Sequence, residues 1–431
     1  MSKIFYERLL SGGNITLFSP HDVPGLYEAF GHNEKFDELY LRYENDRTIT
    51  KKSISALELF TALLKERAET GRIYIMNIDH CNSHSSFVDS VKMSNLCQEI
   101  TLPTDPIQTL DDREGEIALC ILSAINVGNL RELDDLKNLC DLAVRALDEI
   151  IDYQRYPVMA AEISTKARRS LGIGYIGLAH YLAKKNLHYR DIAAAQAVNR
   201  LTEAFQYYLV RASIQLAKEK GRCEYFDRTK YSQGLLPVDT YKRDVDDFLG
   251  TELHYDWEAL RRDIAEHGMR HSTLSAQMPS ESSSVVSNET NGIEPPRAYM
   301  STKKSKKGPL KQIVPQYGSL KNAYTFLWDT GVNEGYIRVV AAMQKYFDQA
   351  ISGNWSYNPK HYENGEVPMS VMFNDLLTTY KYGWKTSYYH NTYDAKGEDE
   401  DDIVAVAQTI QKTQLVQPST TEDEACEACT I

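Results

Sequence analysis

Helical patterns that pass into strand patterns through a glycine are the feature of this sequence that most limits its fold. Residues 54–69 place apolar side chains on one helical face, and the opposite face is charged. The apolar positions are Leu57, Phe60, Leu63 and Leu64. Gly71 then predicts the end of the helix, and residues 72–77 predict a short strand. This order is typical of an α/β protein.

The same order recurs along the chain. Further strand patterns are 115–122 and 170–176, the second a strand or a turn, and further helical patterns are 132–153, 177–185, 199–220, 319–351 and 367–382. Residues 279–317 are polar and rich in Gly and Pro, which indicates a loop on the rim of a domain or a binding loop. The alternation predicts a parallel or mixed sheet covered by helices. A length of 431 residues allows two or three domains, or one α/β barrel.

Composition excludes several classes of protein. Hydrophobic residues make up 42% of the chain, which predicts a large folded core. The longest nearly apolar stretch, 117–127, is far shorter than the ~20 residues of a membrane helix, and the first eight residues lack the apolar core of a secretory signal. The seven cysteines are irregularly spaced, so we expect a reduced, cytoplasmic protein rather than a disulfide scaffold.

Charge is concentrated at one end of the chain. The net charge of −12 argues against direct binding to a nucleic-acid backbone, which needs a basic surface. Residues 394–431 contain ten Asp or Glu and two Lys, a net charge of −8. We predict that 412–431 form a flexible tail.

Three cysteines have contexts that favour chemistry over packing. Cys426 and Cys429 form a CxxC pair on the acidic tail, where an exchangeable disulfide is favoured over the alternative of an adventitious metal site. Cys97 lies between Asn95 and Glu99, an amide and a carboxylate two residues away on either side. Together they suggest an enzyme that consumes a dithiol in each turnover.

Two further motifs are better explained by packing. Residues 172–177 match GxGxxG, but a dinucleotide site needs a clear apolar strand before it, and residues 166–170 are mostly basic. Residues 79–84 contain Asp, His and Cys, yet the other cysteines do not supply the second pair of a structural zinc site. We predict packing roles for both and no metal site.

Two motifs leave both readings open. Residues 279–284 offer consecutive backbone N–H groups and hydroxyls, so they could form an anion-binding nest leading into a helix or a polar surface linker. Tyr388 and Tyr389 are adjacent, and in a chain with 28 tyrosines such pairs are more often packing residues, so this pair alone is weak evidence of function.

Taken in order, these residues closely resemble the large, catalytic subunit of aerobic class I ribonucleotide reductase. The resemblance runs from residue 15 to the last residue. The strings that carry it are 15–25, 70–74, 94–99, 115–120, 279–283, 291–297 and the pair Tyr388–Tyr389.

The resemblance implies a ten-stranded α/β barrel in which Cys97, on a finger loop, is a transient thiyl radical. That radical takes the hydrogen from the 3′ carbon of a ribonucleoside diphosphate. Asn95 and Glu99 correspond to the residues that hold the ribose and accept the 3′-hydroxyl proton, and an extended loop would bring Glu99 within reach as a base. Leu96 and Gln98 complete the substrate-binding string.

The resemblance also implies the remaining roles. Cys120 corresponds to one of two cysteines that reduce the 2′ position. The loop that binds the substrate diphosphate corresponds to Pro279, Ser280, Glu281, Ser282 and Ser283, with Arg297 nearby. Tyr388 and Tyr389 correspond to a stacked pair that passes the radical to Cys97 from a small subunit carrying the metal-radical cofactor. Cys426 and Cys429 correspond to the tail dithiol that thioredoxin or glutaredoxin reduces, and this chain itself carries no cofactor.

The family's amino-terminal half has no counterpart here, and no cysteine precedes Cys81. We therefore expect the separately encoded carboxy-terminal piece of a split large subunit, an expression fragment being the alternative. The expected divisions are a leader or subunit-contact segment at 1–14, barrel at 15–411 and redox tail at 412–431. Partners are then the amino-terminal half and the small subunit.

Three rival functions fit less of the sequence. A glycyl-radical enzyme would need a terminal glycine motif where this chain has a dithiol. A non-catalytic, regulatory subunit would not need Asn95, Cys97, Glu99 and Cys120 together. A thiol–disulfide carrier would explain the tail alone.

Overall fold

The computed structural model describes residues 1–305 and 308–393, in which helices hold many more residues than strands. The helices are α1 (Lys3–Leu10), α2 (Asn33–Asn45), α3 (Ala56–Thr70), α4 (Ile78–Ser83), α5 (Asp135–Tyr153), α6 (Met159–Arg168), α7 (Leu178–Lys184), α8 (Ile192–Lys220), α9 (Pro237–Thr240), α10 (Asp246–Leu249), α11 (Trp257–His267), α12 (Glu281–Val286), α13 (Tyr317–Leu320), α14 (Val332–Gln344) and α15 (Met369–Lys381).

The strands form short pairs. They are β1 (Asn14–Phe18), β2 (Lys51–Ser55), β3 (Ile75–Met76), β4 (Leu122–Asn126), β5 (Gly172–Ile176), β6 (Met300–Ser305), β7 (Gly308–Ile313), β8 (Trp355–Tyr357), β9 (Thr386–Ser387) and β10 (His390–Thr392). β1–β2, β3–β9 and β6–β7 pair antiparallel, whereas β4–β5 and β8–β10 pair parallel.

Backbone hydrogen bonds extend the β4–β5 pair into a longer parallel array. The Ile173 amide donates to the Leu274 carbonyl at 2.8 Å, and residues 273–277 therefore run beside β5. The Gln277 amide donates to the Ala350 carbonyl at 3.1 Å, which adds residues 349–352. The loop at 94–99 follows next, because the Ala350 amide donates to the Glu99 carbonyl at 3.0 Å. This array sets the positions of the candidate site residues.

Helices cover the array and hold the core. α8 is largely buried and packs against α5, α11 and α14. An aromatic cluster joins it to the array, since the ring of Phe205 on α8 lies 5.3 Å from Tyr175 on β5 and 5.8 Å from Phe347. α1 also joins the core, with Phe5, Tyr6 and other side chains buried. The leader predicted for 1–14 is thus packed helix and strand, and its subunit contact stays a prediction.

Several predicted elements are confirmed. α3 ends at Gly71, whose φ of 69° is the left-handed cap that glycine favours, and α5, α7, α8 and α15 lie where helical patterns were found. The buried face of α3 differs from the prediction. Leu57 is 53% exposed, and Arg67 occupies the core instead.

Other predicted elements are wrong. The strand predicted for 115–122 begins only at Leu122. Within the predicted range, Glu116 instead pairs with Asp105 in an isolated β-bridge. Residues 279–317 contain α12 and the β6–β7 hairpin as well as loops. The helix predicted for 319–351 is interrupted: α13 ends at Leu320, Gly331, at φ 76°, precedes α14, and residues 349–352 join the parallel array.

The predicted α/β class is confirmed. The strands of residues 1–305 and 308–393 do not close into a barrel. Among those same residues, no helix is both long enough and apolar enough to cross a bilayer. The predicted tail, with Cys426 and Cys429, lies outside the described residues.

Candidate active site

A tight turn presents Cys97 on the loop at 94–99. The Gln98 amide donates to the Asn95 carbonyl at 3.1 Å, and Gln98 adopts φ 70°, which closes the turn. The Asn95 side-chain oxygen accepts from the Ile100 amide at 3.1 Å and fixes the loop base. Cys97 is half-buried at the tip beside the exposed Leu96. The loop is thus a turn rather than an extended segment, and the turn sets how Asn95, Cys97 and Glu99 lie relative to one another.

Ser352 ties this loop to the parallel array. Its Oγ donates to the Cys97 carbonyl at 2.5 Å and lies 3.2 Å from Oε2 of Glu99, while its own amide donates to the Gln277 carbonyl at 2.9 Å. Glu99 is only 2% exposed. Sequence reasoning missed Ser352, because nothing local marks a serine that lies 255 residues from Cys97.

The two adjacent tyrosines lie directly behind Cys97. Tyr388 Oη is 3.5 Å from Cys97 Sγ, and the Tyr388 and Tyr389 ring centroids are 4.1 Å apart. The ring planes meet at 51°, so the pair is in contact but tilted, not stacked in parallel as predicted. Burial, followed by hydrogen bonds to Tyr389 and Cys97, raises the pKa of Tyr388. Tyr388 is buried while Tyr389 reaches the surface, which makes a continuous path from outside to the sulfur.

Two further residues support the tyrosine pair. Tyr74 lies 4.6 Å from the Tyr388 ring and 5.4 Å from the Tyr389 ring. Arg67 is fully buried, and its guanidinium donates to the Tyr388 carbonyl at 2.7 Å and to the Tyr389 carbonyl at 3.3 Å. Burial lowers the pKa of Arg67 to about 10, so it remains a cation at neutral pH. Tyr74 belongs to the string at 70–74 that carries the family resemblance, so the sequence pointed to it. Arg67 lies within α3, and nothing in the helical pattern distinguished it.

Cys120 is a free, exposed thiol close to the same groups. Partial burial, then the negative charges of Glu99 and Cys97, raises the pKa of Cys120. Cys120 and Asn95 both line an open cavity of about 670 Å³ whose walls include the apolar side chains Met93, Ile100 and Leu102. The structure thus brings Asn95, Cys97, Glu99 and Cys120 together at one site.

The serine loop, residues 279–284, forms the beginning of α12: Pro279 and Ser280 precede the helix, and 281–284 are its first four residues. Ser280 is buried, whereas Pro279, Glu281, Ser282 and Ser283 are exposed. Arg297 is exposed, lies over the Trp328 ring at 5.5 Å, and shares a cavity of about 140 Å³ with Glu281 and Ser284. Arg297 thus lies near this loop, while its part in binding phosphate stays a prediction.

The motifs assigned to packing are enclosed by neighbouring side chains. A Cβ added at Gly174 would lie 2.7 Å from the Ala276 carbonyl oxygen and 2.9 Å from Gln277 Oε1, so this glycine permits close approach of the array. In residues 79–84, His80 contacts the Trp384 carbonyl at 3.0 Å and His84 the Gln344 carbonyl at 2.7 Å. These contacts join α4 to the core.

Comparison with known proteins agrees with this geometry. The family model described as "Ribonucleotide reductase, barrel domain" matches residues 1–323 and 318–390. The ribonucleoside-diphosphate reductase subunit alpha of Haemophilus influenzae is 56% identical over 94% of this chain and 54% of its own length. Subunit alpha of Escherichia coli reductase 1 is 53% identical and that of phage T4 42% identical, each over 94% of this chain and 54% of the relative.

The chain therefore belongs to the family of class I ribonucleotide reductase large subunits. It spans about half the length of the curated relatives that it matches.

Proposed function

We propose that this chain carries the radical cysteine of an enzyme that reduces ribonucleoside diphosphates to 2′-deoxyribonucleoside diphosphates. The observation that carries the proposal is the contact of Tyr388 Oη with Cys97 Sγ at 3.5 Å, with Tyr389 next in line toward the surface. Hydrogen-bonded oxidisable groups in a row support transfer of an electron and a proton between them. Family membership supports the same reaction.

In the proposed reaction, a radical passed inward through Tyr389 makes Tyr388 a tyrosyl radical, which takes the hydrogen atom of the Cys97 thiol and returns to tyrosine. The resulting Cys97 thiyl radical takes the 3′ hydrogen of the substrate. Glu99 accepts the 3′-hydroxyl proton, and Asn95 holds the ribose beside the backbone of Leu96 and Gln98. The 2′ hydroxyl leaves as water. Cys120 and a second thiol supply the two electrons and end as a disulfide, after which Cys97 returns the 3′ hydrogen and the radical passes back.

The diphosphate is proposed to bind at the serine loop, residues Pro279, Ser280, Glu281, Ser282 and Ser283, with Arg297 at its edge. Exposed hydroxyls and backbone N–H groups at the start of α12 suit an anion. Glu281 also lines this cavity and is acidic. Among the described residues that line it, Arg297 is therefore the source of positive charge for the phosphates.

The rest of the enzyme is proposed from the family. The parallel array, residues 122–126, 172–176, 273–277 and 349–352, forms part of a ten-stranded barrel with 94–99 as its finger loop. A polypeptide corresponding to the part of the relatives that this chain does not cover completes the barrel over the apolar cavity beside Cys120. That polypeptide also supplies the thiol that pairs with Cys120. A small subunit contributes the metal-radical cofactor at Tyr389, and the Cys426–Cys429 dithiol, recharged by thioredoxin or glutaredoxin, reduces the site disulfide in the cytoplasm.

The test is replacement of either tyrosine of the pair. Tyr388→Phe and Tyr389→Phe keep the ring but remove the O–H that must be oxidised, so each variant should bind the small subunit and lose CDP reduction. Tyr153→Phe, at a side chain that is 91% exposed, is the matched control and should keep full activity. Near-normal turnover in either pair variant would make the pair a packing feature. The regulatory-subunit alternative predicts partner binding with no reduction by the wild-type complex.

A further inference from the structure

The first turn of α12 belongs to the serine loop. After α12, a short return segment, residues 289–292, packs back on the loop. The Glu289 amide donates to the Ser284 carbonyl at 2.8 Å, and the Gly292 amide donates to Ser284 Oγ at 3.2 Å. Ser284 Oγ in turn donates to the Ser280 carbonyl at 2.6 Å. The return segment therefore holds the loop from beneath.

The return segment is itself bound to the start of α7. The Gly177 amide donates to the Thr290 carbonyl at 3.2 Å, and the Leu178 amide donates to the Gly292 carbonyl at 3.2 Å. The first N–H groups of a helix have no partner within the helix, so these bonds satisfy groups that burial would otherwise leave unpaired. Gly177 is the last residue of the GxGxxG string at 172–177, for which a packing role was predicted, and this contact is part of that packing.

Glu289 locks the contact with its carboxylate. Its Oε1 accepts from the Thr290 amide at 2.8 Å, and its Oε2 lies 3.0 Å from Nδ1 of His180 on α7. Both side chains are 2% exposed. A carboxylate only accepts hydrogen bonds, so His180 Nδ1 is the donor. Charge-assisted bonds of this kind are about twice as strong as neutral ones.

Two glycines make the space that the carboxylate fills. A Cβ at Gly128 would lie 2.4 Å from Glu289 Oε2, and a Cβ at Gly177 would lie 2.7 Å from Glu289 Cγ. Gly177 also has φ 81°, which disfavours other residues. The local backbone is thus built around Glu289.

We propose that Glu289 is a positioning residue that, through His180 and the glycine turn, holds the serine loop in the geometry that binds the substrate diphosphate. This inference rests on the proposed function. Glu289 is buried in one wall of the cavity that Arg297 shares with the loop, and its carboxylate is held by the Thr290 amide and His180. Its effect on the reaction passes through Ser284 and the backbone of the serine loop.

Glu203 offers a control of the same chemistry. It is a fully buried glutamate whose Oε2 lies 2.9 Å from Nδ1 of His254 and whose Oε1 accepts from the His254 amide at 2.7 Å. Glu203 lies on α8, and its partners His254, Tyr255 and Trp257 lie just before α11 or at its start, outside the serine loop. Glu289→Ala and Glu203→Ala should both lower stability, but for different parts of the chain.

The first experiment measures KM and kcat for CDP in the assembled reductase. Glu289→Ala should raise KM by at least about 10-fold, the factor for one displaced charged hydrogen bond, with kcat changed less than about 3-fold. Glu289→Gln keeps the side-chain volume and one acceptor, so its KM should lie between those of wild type and Glu289→Ala. An unchanged KM in both Glu289 variants, or an equal rise in Glu203→Ala, would overturn the proposal.

The second experiment does not depend on activity. Amide hydrogen exchange of the full chain should be at least about 10-fold faster at Ser284 and Glu289 in Glu289→Gln than in wild type, and unchanged there in Glu203→Ala. Equal exchange at these amides in wild type and both Glu289 variants would refute the positioning role. If the assembled wild-type enzyme does not reduce CDP but these amides still exchange faster in the Glu289 variants, the positioning role is upheld and the proposed function is refuted.

Discussion

Ser352→Ala tests how the loop at 94–99, which carries Cys97, is held in place. The Ser352 hydroxyl has one hydrogen and two acceptors, the Cys97 carbonyl at 2.5 Å and Glu99 Oε2 at 3.2 Å. A hydrogen bond to a neutral acceptor is worth about 1 kcal/mol and one to a charged acceptor about 1.5–3 kcal/mol. At 1.36 kcal/mol for each factor of ten, loss of these contacts in the reacting geometry predicts a fall in kcat of about 10- to 100-fold.

The assay is steady-state CDP reduction by the assembled enzyme, together with urea unfolding of the variant chain. Stability should fall by only about 1 kcal/mol, because one hydroxyl is lost and a methyl remains. Ser387→Ala is the matched control, since Ser387 is buried on β9 and its hydroxyl has no hydrogen-bond partner in the described part of the chain. A Ser352→Ala enzyme with the kcat of Ser387→Ala would refute the argument that Ser352 positions Cys97 and Glu99.

Three further changes have outcomes that the structure or sequence predicts. Asp148→Asn should lower the free energy of unfolding in urea by about 3–5 kcal/mol, because this fully buried carboxylate is surrounded by the cations of Arg169, Arg270 and Lys220; a loss below about 1 kcal/mol would contradict this. Burial raises the pKa of Asp375 from 3.8 to about 6, so the folded chain holds a proton that the unfolded chain releases. Stability should therefore decline between about pH 4 and 6, and Asp375→Asn should remove up to about 3 kcal/mol of that decline in urea titrations, the value that 1.36 kcal/mol for each pKa unit gives; parallel pH profiles for the two proteins would argue against it. Serine at Cys426 or Cys429 should stop thioredoxin-driven multiple turnover while a small dithiol restores part of the rate, and unchanged turnover would remove the tail from the cycle.

Sequence patterns located the elements whose information is local. The end of α3 follows from Gly71, because a left-handed residue is needed there and glycine adopts that conformation at least cost. The loop at 94–99 was identified because amide, thiol and carboxylate alternate within five residues. These signals depend on neighbours in the chain, so they survive without knowledge of the fold.

Contacts between distant residues could not be read in this way. Arg67 reaches the Tyr388 carbonyl across 321 residues, and a cation within an amphipathic helix looks like a solvated position. The β6–β7 hairpin was also missed, since its sequence is largely polar; among its described side chains, those of the end pair Met300 and Ile313 are buried. Tilting of the tyrosine pair likewise depends on Tyr74 packing against both rings.

Family membership follows from the comparisons, whereas the expected split of the large subunit stays a prediction. The apolar cavity beside Cys120 favours a covering polypeptide in either arrangement. A purified chain that reduced CDP with only the small subunit and thioredoxin would contradict the need for such a cover.

The most direct test of the central claim is CDP reduction by the assembled enzyme carrying Cys97→Ser, because a serine hydroxyl does not form the radical that a thiol forms. Cys140→Ser is the control, since Cys140 is buried in α5 and donates to the Phe205 carbonyl at 3.8 Å, away from the site. We predict that Cys97→Ser assembles and binds CDP but yields no deoxynucleotide, while the folded Cys140→Ser enzyme turns over. Deoxynucleotide formation by Cys97→Ser above trace rates would contradict the account.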